Sequence, residues 1–154
     1  MRRKDCALAP QVINEVLDTS EYGILALNDP SGWPYAVPLS FVHMDGAIYV
    51  HCATSGRKNT LITQCDKVCF TTVCDTKPVY LTDFSTYYKS IMVFGKVREV
   101  TQEQEKNRAL HALAKKYLPD HMDKADDGIA KYATRTKVYK ISMDVVSGKG
   151  KVEK

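Results

Sequence analysis

A chain of 154 residues, 44% of them hydrophobic and 26% charged, has enough material for one domain with one core and too mixed a composition for disorder. No apolar run reaches the ~20 residues of a membrane-spanning helix. Asn14, Glu15 and Asp18 interrupt the stretch after the basic N-terminus, so neither a membrane nor a secreted protein is expected.

The net charge of +4 is scattered, without a basic stripe or a nucleic-acid-binding motif, and no nucleic-acid partner is expected. Cys6, Cys52, Cys65, Cys69 and Cys74 are odd in number and lack paired spacing. That argues against a disulfide framework and for a reducing, cytoplasmic setting. Cys65, Cys69 and Cys74 contain no CxxC pair and no histidine close by to complete four zinc ligands, so no metal site is expected.

Along the chain, residues 9–17 place Ile13, Val16 and Leu17 at helical spacing behind Pro10, which suits a first turn. Residues 22–27 (YGILAL) form an apolar run of strand length, closed by the turn-forming residues 28–32. Residues 35–43 (YAVPLSFVH) read as its partner strand. Pro38 lacks the ladder donor and so marks an edge or a bulge. Trp33, between Gly32 and Pro34, is expected to close this hairpin against the core. Asp45 and Gly46 supply the next hairpin turn, and residues 47–52 (AIYVHC) complete a three-stranded meander.

A polar segment, residues 54–58, precedes a short helix over 59–63. Residues 67–74 (KVCFTTVC) are rich in β-branched side chains and read as a strand. Residues 87–100 form a long strand, with a bulge or bend expected at Gly95. Residues 102–117 carry Ala109, Leu110, Leu113 and Ala114 on one helical face, and Pro119 ends that helix. Residues 136–146 alternate as a last strand. The whole is one domain over residues 1–154, with 1–8 and 147–154 as flexible ends. Six antiparallel strands with flanking helices predict a mainly β fold, a closed or nearly closed barrel that hides its strand edges.

The order of SEYGILAL, WPYAVPLSFVHMDGAIYVHCATSGRK, FSTYYKSIMVFGKV and TKVYKISMDVVSGK resembles the FMN-binding split-barrel, or pyridoxamine 5'-phosphate oxidase-like, superfamily. The likeness is strongest to its nitroimidazole-resistance-like branch and covers nearly the whole chain. It implies a six-stranded antiparallel split barrel and a homodimer holding FMN at the subunit interface. It also implies NADH or NADPH as electron donor and a small-molecule acceptor, nitroaromatic compounds among them. Only residues 147–154 follow the last expected strand. The Arg- and Trp-bearing C-terminal segment of true pyridoxamine-phosphate oxidases is absent there, and that activity is not expected.

The candidate site residues follow from the chemistry of FMN. A phosphate needs fixed cations and free backbone N–H groups, often at a helix start. Thr54, Ser55, Gly56, Arg57 and Lys58 offer hydroxyls, a glycine for close approach, two cations and a following helix. From the local residues alone a solvated basic turn is the favoured account; the resemblance places the phosphate at Ala53, Thr54, Arg57 and Lys58. It also sets Val37, Pro38, Leu39 and Ser40 beside the isoalloxazine and ribityl chain. His51 and Cys52 lie near the flavin, with His51 as proton donor or substrate-positioning residue. Thr86, Tyr87, Tyr88 and Ser90 are implied to come from the second subunit. His43, His111 and His121 stand in no comparable context. The alternatives are a non-catalytic flavin or haem carrier or sensor on the same barrel, and a plain β-barrel interaction protein.

Overall fold

The computed structural model describes residues 3–80 and 84–151, and within them eight strands and four α-helices. In chain order these are α1 (Pro10–Thr19), β1 (Gly23–Asn28), β2 (Pro34–Leu39), β3 (Phe41–Met44), β4 (Ala47–Ala53) and α2 (Arg57–Gln64). There follow β5 (Lys67–Val79), β6 (Ser85–Glu99), α3 (Glu103–Tyr117), α4 (Ala125–Tyr132), β7 (Thr136–Ser142) and β8 (Val145–Lys151).

All ladders are antiparallel, in the order β2-β1-β5-β6-β7-β4-β3, with β8 on β6. The two ends of that path, β2 and β3, are neighbours in the chain on either side of Ser40. The sheet therefore curls until its ends approach, while no ladder joins them. This is a split barrel. The expected strand over residues 35–43 divides at Ser40, where the chain leaves one half of the sheet for the other. The expected last strand divides likewise after Ser142, which raises the count from six to eight.

Period-2 alternation then fills the barrel. Leu25, Phe41, Ile48, Val50, Phe70 and Val93 meet inside it, each fully buried, and Phe41 meets Phe70 edge-on at 4.8 Å between ring centroids. Val16 and Leu17 of α1 plug one side. Outside the barrel wall, α3 covers a second cluster of Val42, Ala47, Tyr49, Val100 and Val138 with Ala109 and Leu113.

Three expectations are corrected here. Gly95 makes no bulge, since β6 pairs with β5 without interruption from Lys96 to Lys89. The irregularity sits in β5 between Cys74 and Lys77. A Cβ at Gly95 would lie 1.7 Å from the carbonyl oxygen of Ser142, so the glycine serves the close approach of β7. Trp33 is 78% exposed and does not pack on the core. Its hairpin is closed by Asp29 instead, which accepts from Ser31 N at 2.9 Å and Ser31 Oγ at 2.7 Å. Finally, the described parts of the two chain ends pair with the sheet. Residues 145–151 are β8, paired along β6 from Tyr88 to Phe94. Leu8 N donates to Gly148 O at 3.1 Å, and Ala7 bridges to Lys149. Residues 1–2 and 152–154 of the expected flexible ends lie outside the described residues.

Glu105 pins α3 to the sheet. Its carboxylate accepts from Tyr49 OH at 2.7 Å and from Lys140 Nζ at 3.1 Å, with Arg98 at 3.5 Å. The Tyr49 hydroxyl first, then Lys140, hold it below the usual carboxylate range. Replacing Glu105 with alanine leaves the Tyr49 hydroxyl without that acceptor and is expected to cost about 1–3 kcal/mol. A carboxylate with a depressed folded pKa adds stability above its unfolded value of 4.5 and loses it as pH falls through the folded one. Urea midpoints of parent and Glu105→Ala should therefore differ most at neutral pH and draw together as the pH falls through the folded pKa of Glu105.

Candidate functional site

The strand alternation decides where each candidate residue faces. Ala47 and Tyr49 lie in the cluster under α3, whereas Ile48 and Val50 lie in the barrel. His51 therefore emerges on the helix side and Cys52 inside. His51 and Ser40 both line a hollow of about 700 Å³ bounded by β4, α3, α4 and the turn between those helices. Burial first, and the Lys58 ammonium second, hold the His51 imidazole below its ordinary pKa. At neutral pH it is an uncharged ring that carries one proton.

Cys52 does not open on the hollow. Its thiol donates to Asn59 Oδ1 at 3.3 Å, and burial pushes its pKa up, so it behaves as a neutral structural group. Val37 packs against the barrel core and Leu39 is part of it, so these two offer only backbone. Pro38 faces the other way, paired with Ile24 on the outer sheet face. β2 is an end strand of the sheet, as its proline requires.

Residues 53–58 turn from β4 into α2 around Gly56, whose φ of +132° favours glycine. A buried side chain that the sequence reading missed, Asn59, holds this turn. Asn59 Nδ2 donates to Ala53 O at 3.0 Å, and Asn59 Oδ1 accepts from Tyr139 OH at 3.0 Å as well as from Cys52. Arg57 reaches across to Asp29 in the β1–β2 turn and lies 5.9 Å from the Tyr35 ring centroid. The Ser31 backbone N–H and hydroxyl, then Arg57, keep the Asp29 carboxylate below the usual range. Lys58 is half-buried and acts electrostatically on both His51 and Cys52. The two cations expected to act together thus have different duties: Arg57 latches two turns, and Lys58 acts on His51 and Cys52. Thr54 is exposed beside them.

A second hollow of about 750 Å³ lies on the outer sheet face, lined among others by Pro38, Ile24, Ser20 and Ser90. Tyr22 lines both hollows and stands where they adjoin. The Ser20 hydroxyl, in a residue only 2% exposed, has no hydrogen-bond partner among the described residues. Thr86, Tyr87 and Tyr88 line neither hollow; they continue along β6, where Tyr88 pairs with Lys151. One chain therefore sets Ser40 and His51 on one hollow and carries Ala53, Thr54, Arg57 and Lys58 at the end of β4 and in the turn that follows it, while Thr86, Tyr87 and Tyr88 line neither hollow.

His121, given no role by its sequence context, lines the same hollow as His51. Among the described residues no three histidine, cysteine or acidic side chains gather to hold a metal, and no helix is long and apolar enough to cross a membrane.

A family model described as pyridoxamine 5'-phosphate oxidase matches residues 10–150. The chain belongs to this family. No curated protein matches it. Among solved structures it is similar to a candidate 5-nitroimidazole antibiotic resistance protein from Bacteroides thetaiotaomicron VPI-5482. That match has 25% identity over 94% of this chain and 86% of the other, with a TM-score of 0.79. The flavocytochrome Anf3 from Azotobacter vinelandii is 19% identical over 99% of this chain and 72% of its own, with a TM-score of 0.85. A FAD- and haem-binding protein from Mycobacterium smegmatis is 18% identical over 94% and 72%, with a TM-score of 0.79. The last two likenesses establish the split-barrel fold that the pyridoxamine 5'-phosphate oxidase family model also finds.

Proposed function

We propose that the chain is an FMN-binding flavoprotein that reduces small acceptors, nitroaromatic compounds among them, with NADH or NADPH as donor. One observation carries the reading. His51 and Ser40 line a roomy, partly apolar hollow whose β4 edge runs directly into the Asn59-braced turn bearing Thr54, Arg57 and Lys58. Family membership and the flavin named in two of the matched structures support it.

The residues fit FMN. Lys58 and the backbone of the turn meet what a dianionic phosphate requires. Ser40 and the free backbone edge of β2 suit the hydroxyls and ring edge, and the apolar walls suit a flat ring. When bound, the flavin supplies two-electron chemistry, so that reduced nicotinamide, a proton and the acceptor give oxidised nicotinamide and the two-electron-reduced acceptor. The protein's share is to hold the phosphate at Lys58, to exclude water with the α3–α4 wall, and to keep a proton on the uncharged His51 ring within the hollow.

A homodimer completes this proposal. On the outer sheet face the cross-strand rows Pro38–Ile24–Thr71–Met92 and Ala36–Ala26–Cys69–Phe94–Val145 run side by side. Ile24, Met92, Phe94 and Val145 in them are 42–60% exposed. A contiguous apolar face of this kind marks an interface. A second copy seated there would bring its own Thr86, Tyr87 and Tyr88 toward the first copy's hollows.

FMN titration followed by gel filtration and light scattering tests both halves. Flavin absorption that co-elutes with a particle of twice the chain mass is expected. Colourless protein would overturn the flavin reading, and a flavin-loaded monomer would overturn the shared site.

A second reading is a haem carrier without turnover, favoured by His51 and His121 lining one hollow. A Soret band on haemin addition, with no nicotinamide oxidation, would select it.

A further inference from the structure

The wall of the helix-side hollow that faces β4 carries a chemical bias. Leu110, Leu113, Leu118 and Ile129 make it apolar. The Lys124 ammonium and the His121 imidazole, a hydrogen-bond donor, line it from the 3₁₀ turn Pro119–Lys124 that links α3 to α4. Among the described residues no aspartate or glutamate lines the hollow. Asp120, Asp123, Asp126 and Asp127 lie on the same stretch of chain but are not part of this lining, and Asp126 instead meets His111 Nε2 at 2.8 Å.

The turn is braced. Tyr117 at the end of α3 donates to Glu21 O at 2.6 Å and accepts from Phe41 N at 3.0 Å. His121 N donates to Leu118 O at 3.0 Å. His121 and Lys124 are thus presented from a fixed base, opposite the face from which His51 emerges. Charge-assisted hydrogen bonds outweigh neutral ones.

We infer that this wall is an acceptor subsite selecting a flat, mainly apolar molecule with one anionic group, an aromatic carboxylate being the simplest case. His121 and Lys124 are the anion's partners. The inference rests on the flavin reading and adds the chemistry of the acceptor to it. An uncharged analogue of the same shape keeps the apolar contact and loses the charge-assisted one.

The test is calorimetric titration of 4-nitrobenzoate and of uncharged 4-nitrobenzamide into flavin-loaded and flavin-free protein. The carboxylate is expected to bind about tenfold or more tightly than the amide. That preference should vanish in His121→Gln/Lys124→Gln and reverse in Lys124→Glu. Both residues are exposed, and circular dichroism checks that the variants fold. Equal affinity for the two probes, or a preference that survives the double substitution, would overturn the subsite. The visible flavin band in the same samples reports separately on the flavin reading. Its absence would sink that reading while the probe preference of the flavin-free protein still decides the wall's chemistry.

Discussion

Replacing Gly95 with valine is expected to leave little folded protein. The first added atom, Cβ, would sit 1.7 Å from Ser142 O and 2.7 Å from Ser142 C, both backbone atoms that no rotamer change can move. Relief requires β7 to withdraw from β6. That withdrawal breaks the bond from Lys96 N to Ser142 Oγ at 2.9 Å and disturbs the adjoining Val97–Ile141 pair. Overpacking into side chains costs about 1–3 kcal/mol, and against backbone a cost above ~3 kcal/mol is expected, a large share of a small domain's stability. Gly128→Ala is the control. Nothing lies within 4 Å of its added Cβ, so it should gain up to ~1 kcal/mol from helix propensity. Soluble yield and urea midpoints check both. A Gly95→Val protein with the parental midpoint would mean that the β6–β7 contact is looser than described.

Substitution of Lys58 is expected to have the largest effect on cofactor binding. A charge-assisted contact is worth about 1.5–3 kcal/mol, so Lys58→Ala should weaken FMN by roughly ten- to a hundredfold. Arg57 shares its charge with Asp29, and its removal unlatches the β1–β2 turn as well. Arg57→Ala together with Lys58→Ala should nearly empty the site, while the fold survives because neither side chain is part of either hydrophobic cluster. Riboflavin, without a phosphate, should not distinguish the variants. Lys58 also helps to hold the His51 pKa down, so Lys58→Ala should raise it even without flavin. FMN and riboflavin titrations and a proton NMR titration of His51 measure these effects. Parental FMN affinity in the double variant would place the phosphate elsewhere.

Local pattern carried much of this structure, and its failures have physical causes. Helices α1, α2 and α3 and the core strands were legible because apolar periodicity and turn residues agree there. α4 was missed: its ADDGIAKY sequence combines an Asp-Asp-Gly turn signal with only eight residues. It is held by packing on α3 rather than by its own propensity. The crossing at Ser40 was invisible because the strand pattern of residues 35–43 continues through it. Passage from one half of a sheet to the other is a tertiary event with no period of its own. In the site, His51 and the basic turn could be read from the residues and the family likeness. Asn59 and His121 could not. Asn59 matters only because Cys52, Ala53 and Tyr139 converge on it, and Tyr139 is 80 positions away. His121 becomes relevant only once α3 and α4 fold over β4. A polar residue inside a short helix, three after a glycine turn, was the one available hint for Asn59.

The last strand has a consequence for how the molecule comes into being. From Tyr88 to Phe94, the side of β6 that faces away from β5 is covered by β8, and β8 is locked in turn by Ala7 and Leu8. Gly148 and Gly150 make room for that lock, because a Cβ on either would press into Ile13 or Leu8. Residues 145–151 begin to leave the ribosome more than forty positions after the end of β6. Each nascent chain therefore passes through an interval in which a long strand is complete and one of its edges has no native partner. Unpaired edges of that kind recruit other chains. Crowded polysomes, slow translation after α4 or a stop within β8 would all lengthen the exposure, and the cell's demand for chaperone protection should be set by those seven residues.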